Sequence, residues 1–150
     1  FSFRYFGFSL QPPQFQLSAF LISGFSMNGR LPDEFRGRTK RFASAIIRLF
    51  VALPKEREEV RILGRQLLRS GTSVAAHVRE ACRARSDAEF CSKLEGALQE
   101  ADESQLWLEL LRDDCGVCED DIDFVHREAG ELTAIIVTMV NNTKRKTESR

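Results

Sequence analysis

The sequence predicts an all-α protein, an antiparallel up-down four-helix bundle. Three observations carry this reading. Apolar residues recur at helical spacing in four segments of roughly 20–28 residues, the links between them are short, and no stretch alternates as a half-buried strand would. With 150 residues, of which 43% are hydrophobic and 29% charged, the chain can enclose one real core.

The first helix is expected from about Asp33 to Leu53. Phe35, Phe42, Ala45, Ile46, Leu49 and Leu53 share one face, with Phe50 at its edge. Pro32 precedes this helix, Asp33 is a candidate amino-terminal cap, and Pro54 stops it.

The second helix is expected from about Glu56 to Arg83. At about 100° per residue, Arg61, Arg65, Arg69, Arg79 and Arg83 share a stripe less than a quarter-turn wide. Leu63, Leu67, Val74, Val78 and Ala81 lie on the far side, facing the core. Gly64, Gly71, Ala75 and Cys82 form a small-residue edge that lets another helix come close. Each glycine costs about 1 kcal/mol of helix propensity. Ser70-Gly71-Thr72-Ser73 is locally poor helix, which leaves a kink or break there open.

Ser86 opens the third helix, and Glu89 three residues later completes a capping box. Phe90, Leu94, Ala97, Leu98 and Ala101 define its inner face, while Glu95, Asp102 and Glu103 point away. From Leu106 to Leu111 the apolar arc is wider than one bundle face needs. Leu106, Trp107 and Leu110 are therefore candidate oligomer-interface residues. The acidic turn 113–121 puts negative charge at the amino end of the fourth helix, where the helix dipole favours it. Ile122, Val125, Ala129, Leu132, Ile136, Met139 and Val140 form the face of that helix. The bundle is expected over residues 31–143, followed by a polar basic tail at 144–150.

Residues 1–30 read as a non-core amino-terminal extension. Its first 26 residues hold seven of the twelve phenylalanines but only one charge, Arg4, and a Pro12-Pro13 break. The expectation is a disordered or upstream-translated segment, so that a chain starting at Met27 folds as well as the full one. The rival is a signal or anchor built on Leu17–Phe25, which is too short an apolar run to span a bilayer.

Net charge is zero but unevenly spread. Residues 27–85 carry 14 basic against 6 acidic side chains, and residues 86–133 carry 3 against 15. Opposite halves of this kind either pair, within a bundle or between subunits, or leave one basic and one acidic surface. The arginine stripe is a candidate nucleic-acid-binding surface, because guanidinium forks match phosphate oxygens. The plainer alternative is a solvated face paired with acids on a neighbouring helix or subunit.

No catalytic constellation is found. Bundle di-metal sites use two Glu-x-x-His pairs, and Asp123-x-x-His126 is the nearest approach here. Ser73, His77 and Glu80 share a polar flank of the second helix, better read as hydrogen-bonded structure than as a nucleophile and its base. Cys115 and Cys118 have the spacing of half a zinc site, but no second pair matches them, and Cys82 and Cys91 are unusually spaced as ligands. No metal and no cofactor is expected. The thiols fit a reducing cytoplasm. One Trp and one Tyr make base stacking a minor element. The expected partners are further copies of the chain, with RNA or DNA as candidates, and neither a membrane nor a small-molecule substrate.

Four blocks carry a family resemblance. They are RTKRFASAIIRLFVALPK (38–55), GRQLLRSGTSVAAHVREACRARSDAEFCSKL (64–94), EADESQLWLELL (100–111) and GELTAIIVTMV (130–140). Together they resemble the bacterial four helix bundle proteins, also called ribosomal-RNA intervening-sequence or ribosomal S23-like proteins, over about Leu31–Lys146. The resemblance implies a cytoplasmic bundle that assembles into a ring, typically a pentamer, and has no established enzymatic activity. It also implies a similarity in fold to the basic accessory proteins of diversity-generating retroelements, which bind nucleic acid and a reverse transcriptase. Ser73, Val74 and Glu80 keep the family pattern S-V-x-x-N-x-x-E, whereas His77 stands where the family usually has Asn. An imidazole replaces one amide hydrogen bond and adds a titratable group.

Overall fold

The computed structural model describes residues 30–149. The segment 1–26, read above as foreign to the bundle, lies outside the described residues. Four helices follow one another: α1 (Asp33–Ala52), α2 (Glu58–Cys82), α3 (Asp87–Asp113) and α4 (Glu119–Glu148). Each packs on two neighbours: α1 on α2, α2 on α3, α3 on α4, and α4 back on α1. The backbones of the diagonal pairs stay apart among the described residues, which sets the four helices in a square.

Contact order along the helices gives their direction. On the α2–α3 seam, Ser70 meets Ser104, His77 lies against Gly96 and Glu80 meets Lys93, so partners descend on α3 as they ascend on α2. On the α3–α4 seam, Glu95 meets Lys144, Glu109 meets His126 and Arg112 meets Asp123, again in opposite order. Gly64 lies against Leu53 and Phe50, and Gly71 against Ile46, which runs α1 against α2. Consecutive helices are therefore antiparallel.

The faces read from sequence form the core. Phe42, Ile46, Leu67, Val74, Val78, Leu94, Leu108, Leu111, Ile122, Leu132 and Ile136 are all buried. Ala45, Phe50 and Leu63 are only partly covered and pack on its margin. Burial of these stripes, rather than propensity, holds helices of this length together.

Three local expectations change. Asp33 does not cap α1: Pro32 occupies the cap position without a side-chain bond, and Asp33 is the first helical residue, ion-paired with Arg36. A carboxylate one residue inside the helix still favours its positive end. The Ser70–Ser73 stretch neither kinks nor breaks, since α2 runs unbroken through it. Two of its hydroxyls are occupied: Thr72 Oγ1 donates to the Leu68 carbonyl at 2.7 Å, and Ser70 Oγ lies 2.9 Å from Ser104 Oγ. Finally, the segment expected as a basic tail from residue 144 is helical: α4 continues to Glu148, with Lys144 bonded to Glu95 at 2.7 Å.

Ser86 caps α3 as expected, but Glu89 reaches back to the Arg85 amide, one residue before the Ser86 amide that a capping box would use. Ser86 Oγ accepts from the Glu89 amide at 3.0 Å, and Glu89 Oε2 accepts in return from the Arg85 amide at 2.8 Å. The carbonyl of Cys115 accepts a 2.6 Å bond from Arg57, which ties the α3–α4 turn to the α1–α2 link at the same end of the bundle.

The two glycines of α2 differ in what a methyl group would meet. At Gly64 a Cβ would lie 2.7 Å from Leu53 Cδ1, a terminal methyl that can swing aside. At Gly71 it would lie 2.6 Å from Ile46 Cγ1, on a fully buried branched side chain close to its own backbone. Gly64→Ala is expected to be near neutral or slightly stabilising, because alanine recovers about 1 kcal/mol of helix propensity. Gly71→Ala is expected to destabilise by about 1–2 kcal/mol, overpacking outweighing the same gain. Urea midpoints of the two variants check the contrast, and equal shifts would refute it.

Candidate nucleic-acid interface

The second helix positions the site. Its leucine and valine face is held by α1 and α3, which turns the opposite face to solvent. Arg61, Arg65, Arg69, Arg79 and Arg83 are all exposed there. Arg61 is paired with Glu58 at 2.8 Å, one turn back on its own helix, and Arg69 with Glu103 of α3 at 3.4 Å. Arg65, Arg79 and Arg83 have no ion pair among the described residues. The acidic third helix thus meets one of the five arginines. Two of its other acids reach α4 instead, Glu95 pairing with Lys144 and Glu109 with His126. Exposed pairs such as Arg61–Glu58 are worth roughly 0–1 kcal/mol and yield readily to a phosphate.

The motif residues of α2 take structural places. Val74 is buried in the core. Ser73 and His77 are half-covered on the α3 side, where a Cβ on Gly96 would lie 2.9 Å from the His77 ring. That glycine makes room for the imidazole. His77 Nδ1 is buried without a hydrogen-bond partner. Glu80 pairs with Lys93 at 2.6 Å, and that bond holds the Glu80 carboxyl below the usual carboxylate range. The ion pair engages Glu80 across the seam.

The apolar arc of α3 divides. Leu108 and Leu111 are buried, Trp107 and Leu110 are half-covered, and Leu106 is 46% exposed. Trp107 packs on the chain's own core, so the outward part of the arc is Leu106 with the edge of Leu110. Ile47 and Val51 on α1, Ile62 on α2 and Val137 on α4 are also exposed.

The remaining candidates for chemistry are engaged in pairs. His126 Nε2 lies 2.8 Å from Glu109, and Asp123 is 3.5 Å from Arg112. No group of three or more His, Cys, Asp or Glu is placed to hold a metal ion among the described residues. Cys115 is buried and Cys118 exposed, and both are free thiols. Burial pushes the Cys82 and Cys91 thiols up, away from thiolate chemistry. No helix among the described residues is long and apolar enough to cross a membrane.

Sequence reasoning missed the most developed polar cluster. Arg38, on the inner side of α1, is 7% exposed and binds two acids of α4. Its Nε lies 2.6 Å from Glu128 and its Nη2 2.9 Å from the second oxygen of the same carboxylate, while Glu131 accepts from Nη2 as well. The bonds to Glu128 raise the guanidinium's pKa above its ordinary value against the opposing effect of burial. The i, i+3 spacing of Glu128 and Glu131 was visible in sequence, but nothing in α1 marked one arginine among several as their partner.

These features define a helical bundle whose buried polar groups join helices to one another and whose outer face on one helix is basic. The chain belongs to the 23S rRNA-intervening sequence protein family, whose model matches residues 34–138. It is also similar to the crystal structure of a protein of unknown function from the S23 ribosomal protein family of Bacteroides thetaiotaomicron VPI-5482. The two share 31% sequence identity, over 71% of this chain and 97% of that one, with a TM-score of 0.65. No curated protein matches the chain. Neither match names an enzyme.

Proposed function

We propose that the protein is a non-enzymatic, cytoplasmic, oligomeric bundle that associates with RNA through the arginine stripe of α2. One observation carries this reading: all five stripe arginines are exposed, Arg65 and Arg79 have no ion pair among the described residues, and Arg83 has only the charge of Glu80 nearby, itself bonded to Lys93. A stripe that served mainly to neutralise the acidic third helix would point into the α2–α3 seam. The family's name, which refers to intervening sequences of 23S rRNA, fits an RNA partner.

Filter binding of RNA and DNA across a salt series tests the proposal. Wild-type affinity is expected to fall steeply with salt, as it does when cations displace condensed counterions. Arg65→Ala/Arg69→Ala should weaken binding to all sequences alike and lower the salt slope by about 1.4 for single strands. No binding at low salt would rule the function out.

A second reading, an assembly without nucleic acid, rests on the exposed Leu106 beside Leu110. Both readings include self-association through α3. Leu106→Glu is expected to lower the sedimenting mass while leaving the helical circular dichroism unchanged. An unchanged mass would place the subunit contact on another face.

A further inference from the structure

A shallow pocket opens at one end of the arginine stripe, where the carboxy end of α1 meets the start of α2. Phe50, Leu53 and Val60 form its apolar part, and Lys55, Arg61 and Arg65 supply three cations around it. Two residues of the stripe therefore line the pocket as well. Leu53 and Val60 are buried, Phe50 is half-covered, and all three cations are exposed. The volume is about 180 Å³. That is below the roughly 300–1,000 Å³ that encloses a drug-sized ligand. It suits one ring system whose remaining bulk and charge stay outside.

We infer that this pocket seats a single unpaired base of a bound RNA strand, with Lys55 and Arg65 on the flanking phosphates. The inference rests on the RNA-binding reading and sharpens it, because a base reaches such a pocket only from a single-stranded or bulged segment. Duplex RNA keeps its bases stacked inside. An apolar pocket with an aromatic wall and a cationic rim is matched by a nucleotide, which joins a flat ring to an anion. An aliphatic side chain from another protein would satisfy the apolar part and leave Lys55 and Arg65 unmatched. Lys55 and Arg65 meet a phosphate without giving up an ion pair, whereas Arg61 first releases Glu58, which it holds at 2.8 Å.

Three ligands test this on the whole protein: a single-stranded RNA, an abasic ribose-phosphate strand of equal length, and the RNA carrying 5-iodouridine. Wild-type protein is expected to bind the base-bearing strand about tenfold more tightly than the abasic one. Phe50→Leu, which keeps an apolar side chain against Gly64, should reduce that preference to within about twofold. Its abasic binding and salt slope should not change. Irradiation of the iodouridine complex should place a cross-link on Phe50 of the wild-type protein, a readout that holds even if the variant folds poorly. Equal affinity for the two strands, or cross-links confined to residues outside the pocket, would overturn the inference and leave the stripe's phosphate binding intact. Failure of either strand to bind at low salt would sink the RNA reading and this inference together. A lower oligomer mass for Phe50→Leu with its base preference unchanged would assign the pocket to a subunit contact instead.

Discussion

Arg38→Ala is expected to destabilise the bundle by about 3 kcal/mol, at the low end of the range for breaking a buried ion pair. The guanidinium side chain is 9% exposed, and its partners Glu128 and Glu131 are 20% and 51% exposed. Removing the arginine leaves the Glu128 carboxylate partly buried with no counter-charge, whereas Glu131 can turn to water. The cost is thus mainly the stranded Glu128 and sits below that of a fully enclosed triad. The double variant Arg38→Met/Glu128→Leu should recover most of the loss, because apolar groups of similar volume need no desolvation of charge. Urea denaturation of the single and double variants gives both numbers. A loss under about 0.5 kcal/mol for Arg38→Ala would mean that water screens the cluster as it does a surface pair.

Leu67→Ala is expected to cost about 4 kcal/mol, in the upper half of the 2–5 kcal/mol range for a buried leucine. Leu67 is fully buried in the middle of α2. Whether a cavity there closes depends on whether the flanking helices can move inward. On one side Gly71 already places α2 in close contact with Ile46 of α1. On the other, the Ser70–Ser104 bond sets the approach of α3 at 2.9 Å between hydroxyl oxygens. With both neighbours held, relaxation is small and the cavity persists. Calorimetric melting measures the effect, and a near-neutral result would show that the core repacks around the gap.

Much of this fold was legible because helical periodicity reports burial directly. Phe42, Ile46, Val74, Leu94, Leu132 and Ile136 were placed by spacing alone, and all six are buried. The Ser86–Glu89 cap was legible because it is local in sequence. What escaped the sequence depends on which helix lies across the seam. Ser70 looked like a helix breaker, yet it is bonded across the seam to Ser104, 34 residues away. Asp33 looked like a cap, but the helix starts one residue earlier in register than that role requires. Arg38 was indistinguishable from the other α1 cations, because its partners lie 90 and 93 residues downstream. The stripe itself was legible as geometry. Whether acids of α3 covered it was not, since the same spacing that sets Glu103 near Arg69 also sets Glu95 and Glu109 towards α4.

The square arrangement of helices has a consequence for the order in which the chain folds. Three of its four seams join helices consecutive in the chain, so each can zip from its connecting turn with little loop-closure entropy. The fourth, α1 against α4, closes a loop of about ninety residues. Local hairpins are therefore expected to form first and the α1–α4 seam to close last. Because the Arg38 cluster sits on that final seam, its contribution should fall largely after the rate-limiting step. It then acts as a latch on unfolding and has little influence on the speed of folding.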